Sequence, residues 1–232
     1  MTLRQKIKNF ASIFLHTKKS YAQCGEDLII DFLFTNYLKI KKPSYPDIGA
    51  HHPSYLSNTY LFYKKGCKGV CIEPDPTLFY QIKKKRPKDI CLNIGIGTKQ
   101  EESTDFYIMS AKALNTCSKK EAERIQNYGN QKIEKVIKIP LVIINKIIEE
   151  YFDECPNLIS LDIEGLDFEI LKSLNFNLYK PEVICAETLT YTEDKSETKI
   201  QNIIDLIVSK GYFIYADTFL NTIFVDKHKF NA

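Results

Sequence analysis

Apolar residues in this chain fall into short runs separated by longer stretches in which they recur every three or four positions, the signature of strands alternating with helices. In residues 2–16, Leu3, Ile7, Phe10 and Phe14 share one helical face and leave Arg4, Lys6 and Lys8 elsewhere, which predicts an amphipathic basic helix over 1–19. Beyond it the pattern predicts a helix over 28–38, a strand over 44–50, a helix over 57–65 and a strand over 69–73, the order of a right-handed βαβ unit. A helix over 77–85, a strand over 89–95 and a short strand over 104–109 follow. Residues 110–134 are polar, carry Asn115, Asn127, Gly129 and Asn130, and read as an excursion or lid. A helix within 140–151, a strand over 158–163, a helix over 168–174, a buried strand over 181–187 and a helix over 198–209 continue the alternation. The runs 212–216 and 222–225 stand a hairpin turn apart. Around seven strands with helices between most of them predict a doubly wound α/β sheet, mostly parallel, with an antiparallel hairpin at its edge.

Composition narrows the function without naming it. The 232 residues are 44% hydrophobic and 26% charged, which suits one core-bearing domain, here residues 20–232. Lys and Arg exceed Asp and Glu by 32 to 29, too small and too scattered an excess to indicate a nucleic-acid partner. The seven cysteines contain no Cys-x-x-Cys pair, and the expectation is reduced thiols in a cytoplasmic protein, with Cys71, Cys91 and Cys185 as small buried apolar residues. No apolar run reaches the roughly 18–20 residues that span a bilayer. The apolar stretch Phe10–Leu15 is too short, and too quickly followed by His16, Lys18 and Lys19, for a signal peptide. The apolar face of residues 2–16 therefore expects its own domain, a second copy in a homodimer, or peripheral docking on an anionic membrane.

Ligands of such sheets bind beyond the carboxyl ends of the strands, so the residues ending strands carry the chemistry. The first strand ends Asp47-Ile48-Gly49-Ala50-His51-His52, with a single glycine where a dinucleotide loop carries three, which disfavours a nicotinamide cofactor. An acid and a glycine there suit a ligand brought close to bare backbone. The second ends at Glu73 and Pro74, a carboxylate placed to grip a ribose diol. In the third, Asn93-Ile94-Gly95 offers a base edge or a plain turn. Asp162 and Glu164 end the fourth, and Glu187 the next; they read as a general base or as hard oxygen ligands for Mg²⁺ or Mn²⁺, unless Asp162 or Glu164 merely caps the following helix. His51 and His52, the one adjacent histidine pair, are candidates for base or substrate contact. The runs Lys64-Lys65 and Lys83 to Arg86 read as solvated surface, and Tyr107, Tyr128 and Tyr191 as sugar-pocket walls or ordinary loop aromatics.

These motifs together resemble the FkbM-type methyltransferases, which use S-adenosylmethionine (SAM). The matching stretches are Ser20-Tyr21-Ala22-Gln23-Cys24-Gly25-Glu26-Asp27, Asp47 to Pro53, Ser57-Asn58-Thr59, Phe62 to Gly66, Ile72-Glu73-Pro74, Arg86-Pro87 and Leu161 to Asp167, in the family's order. Cys67 departs from the family's usual aromatic residue after Gly66. The resemblance implies a Rossmann-like class I methyltransferase fold and a methyl acceptor that is a hydroxyl on a sugar, nucleotide-sugar or other small metabolite. It implies that Asp47, Gly49 and Ala50 lie beneath the methionine part, that Glu73 and Pro74 hold the ribose, and that Asn93, Ile94 and Gly95 border the adenine. Tyr21, Gln23, Gly25 and Glu26 would close over the cofactor, with Ser57, Asn58 and Thr59 near its carboxylate and Asp162 at its floor. Asp162, Glu164 and Glu187 are then metal or base groups, with His52 as the second base and His51 behind it. The abundance of Lys, Ile and Asn fits an AT-rich bacterial genome and hence surface-polysaccharide or capsule decoration. The rival expectations are an N-methyltransferase acting on a small amine, amide or phosphoramidate precursor, and a non-catalytic module that keeps the fold.

Overall fold

The structure, a computed structural model, describes residues 17–192 and 196–231; the helix expected over 1–19 lies largely outside them. Helix α1 (Glu26–Leu33) precedes strand β1 (Tyr45–Ile48), and helix α2 (Tyr60–Lys64) links it to β2 (Gly69–Ile72). Helix α3 (Pro76–Lys85) leads to β3 (Ile90–Leu92), β4 (Gly95–Gly97) and β5 (Glu101–Met109). Then come α4 (Lys119–Tyr128), β6 (Ile133–Ile143), α5 (Ile144–Tyr151), β7 (Leu158–Leu161), α6 (Asp167–Ser173), β8 (Val183–Glu187), α7 (Gln201–Ser209), β9 (Tyr212–Asp217), β10 (Asn221–Asp226) and α8 (Lys227–Phe230).

Seven strands form one sheet in the order β3-β2-β1-β7-β8-β10-β9, in which β10 runs antiparallel to both neighbours and the other pairings are parallel. Alternate side chains feed two cores, as period-two strands buried on both faces must. On one face Ile184 and Ala186 of β8 and Ile159 and Leu161 of β7 meet Ile147 of α5, Ile170 of α6 and Ile203 of α7. On the other, Val183, Cys185 and Leu158 meet Ile30 and Leu33 of α1 and Phe62 of α2. Cys67 fills that second core as a small apolar residue. The order reverses at β1, flanked by β2 and β7, and the crevice at such a reversal is where ligands of doubly wound sheets bind.

Three expectations need correcting. The run 89–95 is not one strand: β3 closes the main sheet, Asn93 breaks the run, and Gly95 opens β4 in a separate sheet of order β4-β6-β5. The polar excursion is not featureless, since Ser118 caps α4 by accepting the Glu121 N–H at 3.2 Å and Ala122 and Ile125 bury its apolar side. Strand β6 escaped the sequence pattern because its first half carries Glu134, Lys135 and Lys138 on an open hairpin, and because Pro140 argues against a strand. The structure accommodates Pro140 opposite the irregularity between Glu101 and Thr104 of β5, where the ladder is already broken.

Candidate active site

Strand ends β1 and β7 meet through a glycine. Gly49 has φ +78° and a Cβ there would collide with the main-chain oxygen of Asp162, so only glycine lets these two strand ends lie in contact. The cleft above them is walled by Gly49, His51, Glu73, Phe106, Thr116 and Asp162, among others.

Asp47 does not reach the cleft. Its carboxylate accepts the Thr59 hydroxyl and the Arg86 guanidinium at 3.2 Å, and Arg86, fully buried, also donates to Asp89 at 2.8 Å and to Thr59 at 2.8 Å. Burial raises the Asp47 carboxyl above its usual range and Arg86 opposes that rise. Thr59 is thus committed below the loop. Arg86, expected at the surface with Lys83 to Lys85, is instead the internal cation that supports the β1 end. Ser57 accepts the Tyr60 N–H at 3.1 Å at the start of the five-residue α2, and Asn58 donates to Ser160 of β7 at 3.3 Å. The Ser57 N–H is bound to the Tyr21 carbonyl, tying the N-terminal segment to this loop.

Glu73 accepts the main-chain N–H of His51 and of Asp75, both at 2.8 Å, and burial pushes its carboxyl up to about 8. Asn93 is turned back to donate to the carbonyls of Glu73 and Pro74 at 2.9 and 2.8 Å, so it fixes this turn and its amide nitrogen is not offered to a base. Ile94 packs against the main core and Gly95 abuts Cys117. Ala50 is buried in a small cluster with Cys71 and Ile82. The other wall, missed by the sequence reading, comes from the excursion: Asn115 donates to Asp75 at 3.3 Å and Thr116 to the Glu164 carbonyl at 2.8 Å, bridging the two sides of the cleft. Tyr107 and Tyr191 pack with Leu114, Ala122 and Ile125 in the excursion's own core and are not pocket walls.

The three carboxylates expected to act together do meet: Asp162, Glu164 and Glu187 bring one oxygen each within 4.8 Å of one another. Asp162 is exposed and lines the cleft. Crowding and burial raise all three, with burial the largest cause for each; Asp162 rises to about 6, while Glu187, hydrogen-bonded to Asp162, and Glu164 rise further. Helix capping does not account for them, because no side chain caps α6 and it is Asp167 that accepts the Ile163 N–H, at 3.3 Å. Glu26 is near enough to Asp162 to add to its rise and is held by Thr218 at 2.7 Å, Asn221 at 3.0 Å and the Cys24 N–H at 2.9 Å; Gly25, at φ +92°, starts α1 and Gln23 is exposed.

The two histidines part company. His52 Nδ1 accepts the N–H of Ser54 at 3.2 Å and of Tyr55 at 2.9 Å, which places its proton on Nε2 and makes its free edge a donor. His51 lines the cleft, and burial lowers its pKa, so its imidazole is neutral near pH 7. Left-handed backbone at non-glycine residues gathers here: His51 (+50°), Leu56 (+55°), Glu164 (+48°) and, in the β9–β10 turn that holds Glu26, Phe219 (+76°).

A mixed seven-stranded sheet with this strand order, an antiparallel last hairpin and acidic residues ending β1, β2, β7 and β8 defines a class I methyltransferase-like α/β fold. The chain belongs to the FkbM methyltransferases, its residues 47–214 matching the model of the methyltransferase FkbM domain, and it is thus a SAM-dependent methyltransferase. Similar solved structures include a TehB-like SAM-dependent methyltransferase from Corynebacterium glutamicum, 10% identical over 97% of each chain with a TM-score of 0.45. An O-methyltransferase from Bacillus cereus in complex with SAH is 10% identical over 96% of this chain and 90% of that one, with a TM-score of 0.46. No curated protein sequence matches the chain.

Proposed function

We propose that the protein transfers the methyl group of SAM to a hydroxyl of a sugar, nucleotide-sugar or other small precursor in bacterial surface-polysaccharide or glycan biosynthesis. The observation that carries the reading is the Asp162–Glu187 pair beside Gly49: two hydrogen-bonded carboxyls with no cation, among the described residues, in the groups that shift them. Bound in the cleft, SAM supplies a methyl group on a sulfonium, open to in-line displacement by an oxygen about 3 Å away. Glu73 receives the ribose diol, the bare backbone at Gly49 admits the methionine part, and Glu26, with Tyr21, Gln23 and Gly25, closes the near side. The excursion residues Asn115 to Cys117 exclude water from the adenosine side. Asp162, ionised at neutral pH, takes the acceptor's proton as its oxygen bonds the methyl carbon, and Glu187 stays protonated and donates to it.

The charge of the site supports oxygen over nitrogen as the acceptor. Acids around an amine stabilise its ammonium form, which has no lone pair to attack, whereas a hydroxyl is neutral on arrival and needs only a base. Calorimetric titration with SAM and S-adenosylhomocysteine (SAH), followed by assay of SAH release with a panel of nucleotide-sugars and small amines, tests the reading. Micromolar binding and turnover with hydroxyl acceptors support it. Turnover with amines alone overturns the oxygen assignment, and absence of binding to either nucleoside overturns the whole reading.

A further inference from the structure

Two independent features meet at the ends of β8 and β10. The first is the trio of Asp162, Glu164 and Glu187, with oxygens inside 4.8 Å. Among the described residues no cation is one of the groups that shift Asp162 or Glu187, and Arg124, which acts on Glu164, is itself held by Glu121 at 2.9 Å. The second is Asn221, 5% exposed, whose amide nitrogen donates to Glu26 while its Oδ1 has no donor. Glu26 accepts at that contact, which fixes which end of the amide faces it and leaves the oxygen as the orphan. Asn221 stands directly opposite Glu187 in the antiparallel β8–β10 pair, and such residues project from the same face with Cβ atoms about 4.5–5.5 Å apart. An acceptor without a donor therefore belongs to a residue on the same face and at the same level of the sheet as Glu187, and a positive charge bound between them would satisfy both.

We propose that Asp162, Glu164, Glu187 and the Asn221 Oδ1 form a site for one divalent cation, Mg²⁺ or Mn²⁺, the ions that hard, all-oxygen ligand sets hold. Four protein oxygens leave two positions of an octahedron for water or for two adjacent hydroxyls of the acceptor. The acceptor class is then a vicinal diol such as a sugar ring presents. The diol rests on the methyl-transfer reading above; the ion does not, and where it binds it displaces the proton that Glu187 holds in the metal-free site and replaces that hydrogen bond to Asp162.

The test is Mn²⁺ binding to the purified full chain, read by electron paramagnetic resonance without nucleoside, with Mg²⁺ as competitor and with SAH binding measured separately. One Mn²⁺ per chain is expected, displaced by Mg²⁺, with affinity at least tenfold weaker in Glu187→Gln and several-fold weaker in Asn221→Ala, each shown to melt cooperatively. The two variants lie on different strands, so failure of one to fold leaves the other to decide. Absence of Mn²⁺ binding at millimolar concentration overturns the ion site, as does binding indifferent to both substitutions. SAH binding without Mn²⁺ overturns the ion site and leaves the methyltransferase reading standing, and tighter binding of SAM than SAH in that case hands the carboxylates to the sulfonium. Mn²⁺ binding without SAH binding supports the ion site and overturns the other.

Discussion

Replacing Arg86 with methionine should destabilise the protein by about 3–5 kcal/mol at pH 7, the usual penalty for removing one partner of a buried ionic group. Methionine preserves the apolar stem, and the Arg86 side chain is 0% exposed, so the loss is of charge and hydrogen bonds. Asp89, also 0% exposed, loses its 2.8 Å partner and Asp47, 6% exposed, its 3.2 Å partner; the Tyr45 hydroxyl and Thr59 lose a donor each. For a chain of this length each kcal/mol moves the melting temperature by roughly 2–4 °C, so the midpoint should drop by roughly 6–20 °C. The pH dependence separates this account from simple misfit. Without Arg86 the folded pKa of Asp47, already raised by burial, rises further above the unfolded value. The penalty is therefore present at neutral pH and relaxes as pH falls through that folded pKa, where Asp47 enters the core neutral. Urea denaturation at pH 7 and pH 4.5 should show the gap between wild type and variant narrowing, and Asp47→Asn should be less harmful in the Arg86→Met background than alone. A loss under about 1 kcal/mol, or one that is constant with pH, would refute the reasoning.

Gly49→Ala should abolish SAH binding and lower the melting temperature, because φ +78° and the Asp162 main-chain oxygen both oppose a Cβ; calorimetry and a melt check it. Without ligand, the protein should grow less stable from pH 5 to pH 8. Glu73, Asp162 and Asp167 have folded pKa values raised to about 8, 6 and 7, so the stability they contribute as neutral acids is full below their unfolded pKa values and is lost as pH rises through the folded ones. Melts across that range should flatten in Glu73→Gln. Asp162→Asn should reduce turnover at least 100-fold while SAH affinity changes far less, measured once an acceptor is found by SAH release; full activity would remove Asp162 from the mechanism.

The sheet was legible because strands buried on both faces leave short apolar runs, and because a run ending in an acid or glycine marks the carboxyl end where ligands gather. The meeting of Asp162, Glu164 and Glu187 followed from the same logic, since β7 and β8 are parallel neighbours with their ends aligned. What could not be read were features decided by long-range partners. Arg86 follows three lysines at the end of a helix, and it is Asp47, arriving from β1, that draws it inward together with Asp89 three residues on. Asn93, legible as a base edge or a plain turn, fixes the turn through the Glu73 and Pro74 carbonyls, while Thr59, expected near the cofactor carboxylate, is committed to Asp47 and Arg86, and the Nδ1 of His52 to nearby main chain. Asn221 carried no signal, being one polar residue at the start of a strand, and its partner across the sheet lies 34 residues away in Glu187. The Asn115 to Cys117 wall sat in a stretch without periodicity, as segments that fold over a cleft often do.

Left-handed backbone at His51, Leu56, Glu164 and Phe219 sets the chain's evolution against its own thermodynamics. Glycine would relieve about 1–2 kcal/mol at such positions. Substitution for stability alone would therefore relax the cleft wall at His51 and Glu164, so the shape of that wall is set by strain that the rest of the fold must offset.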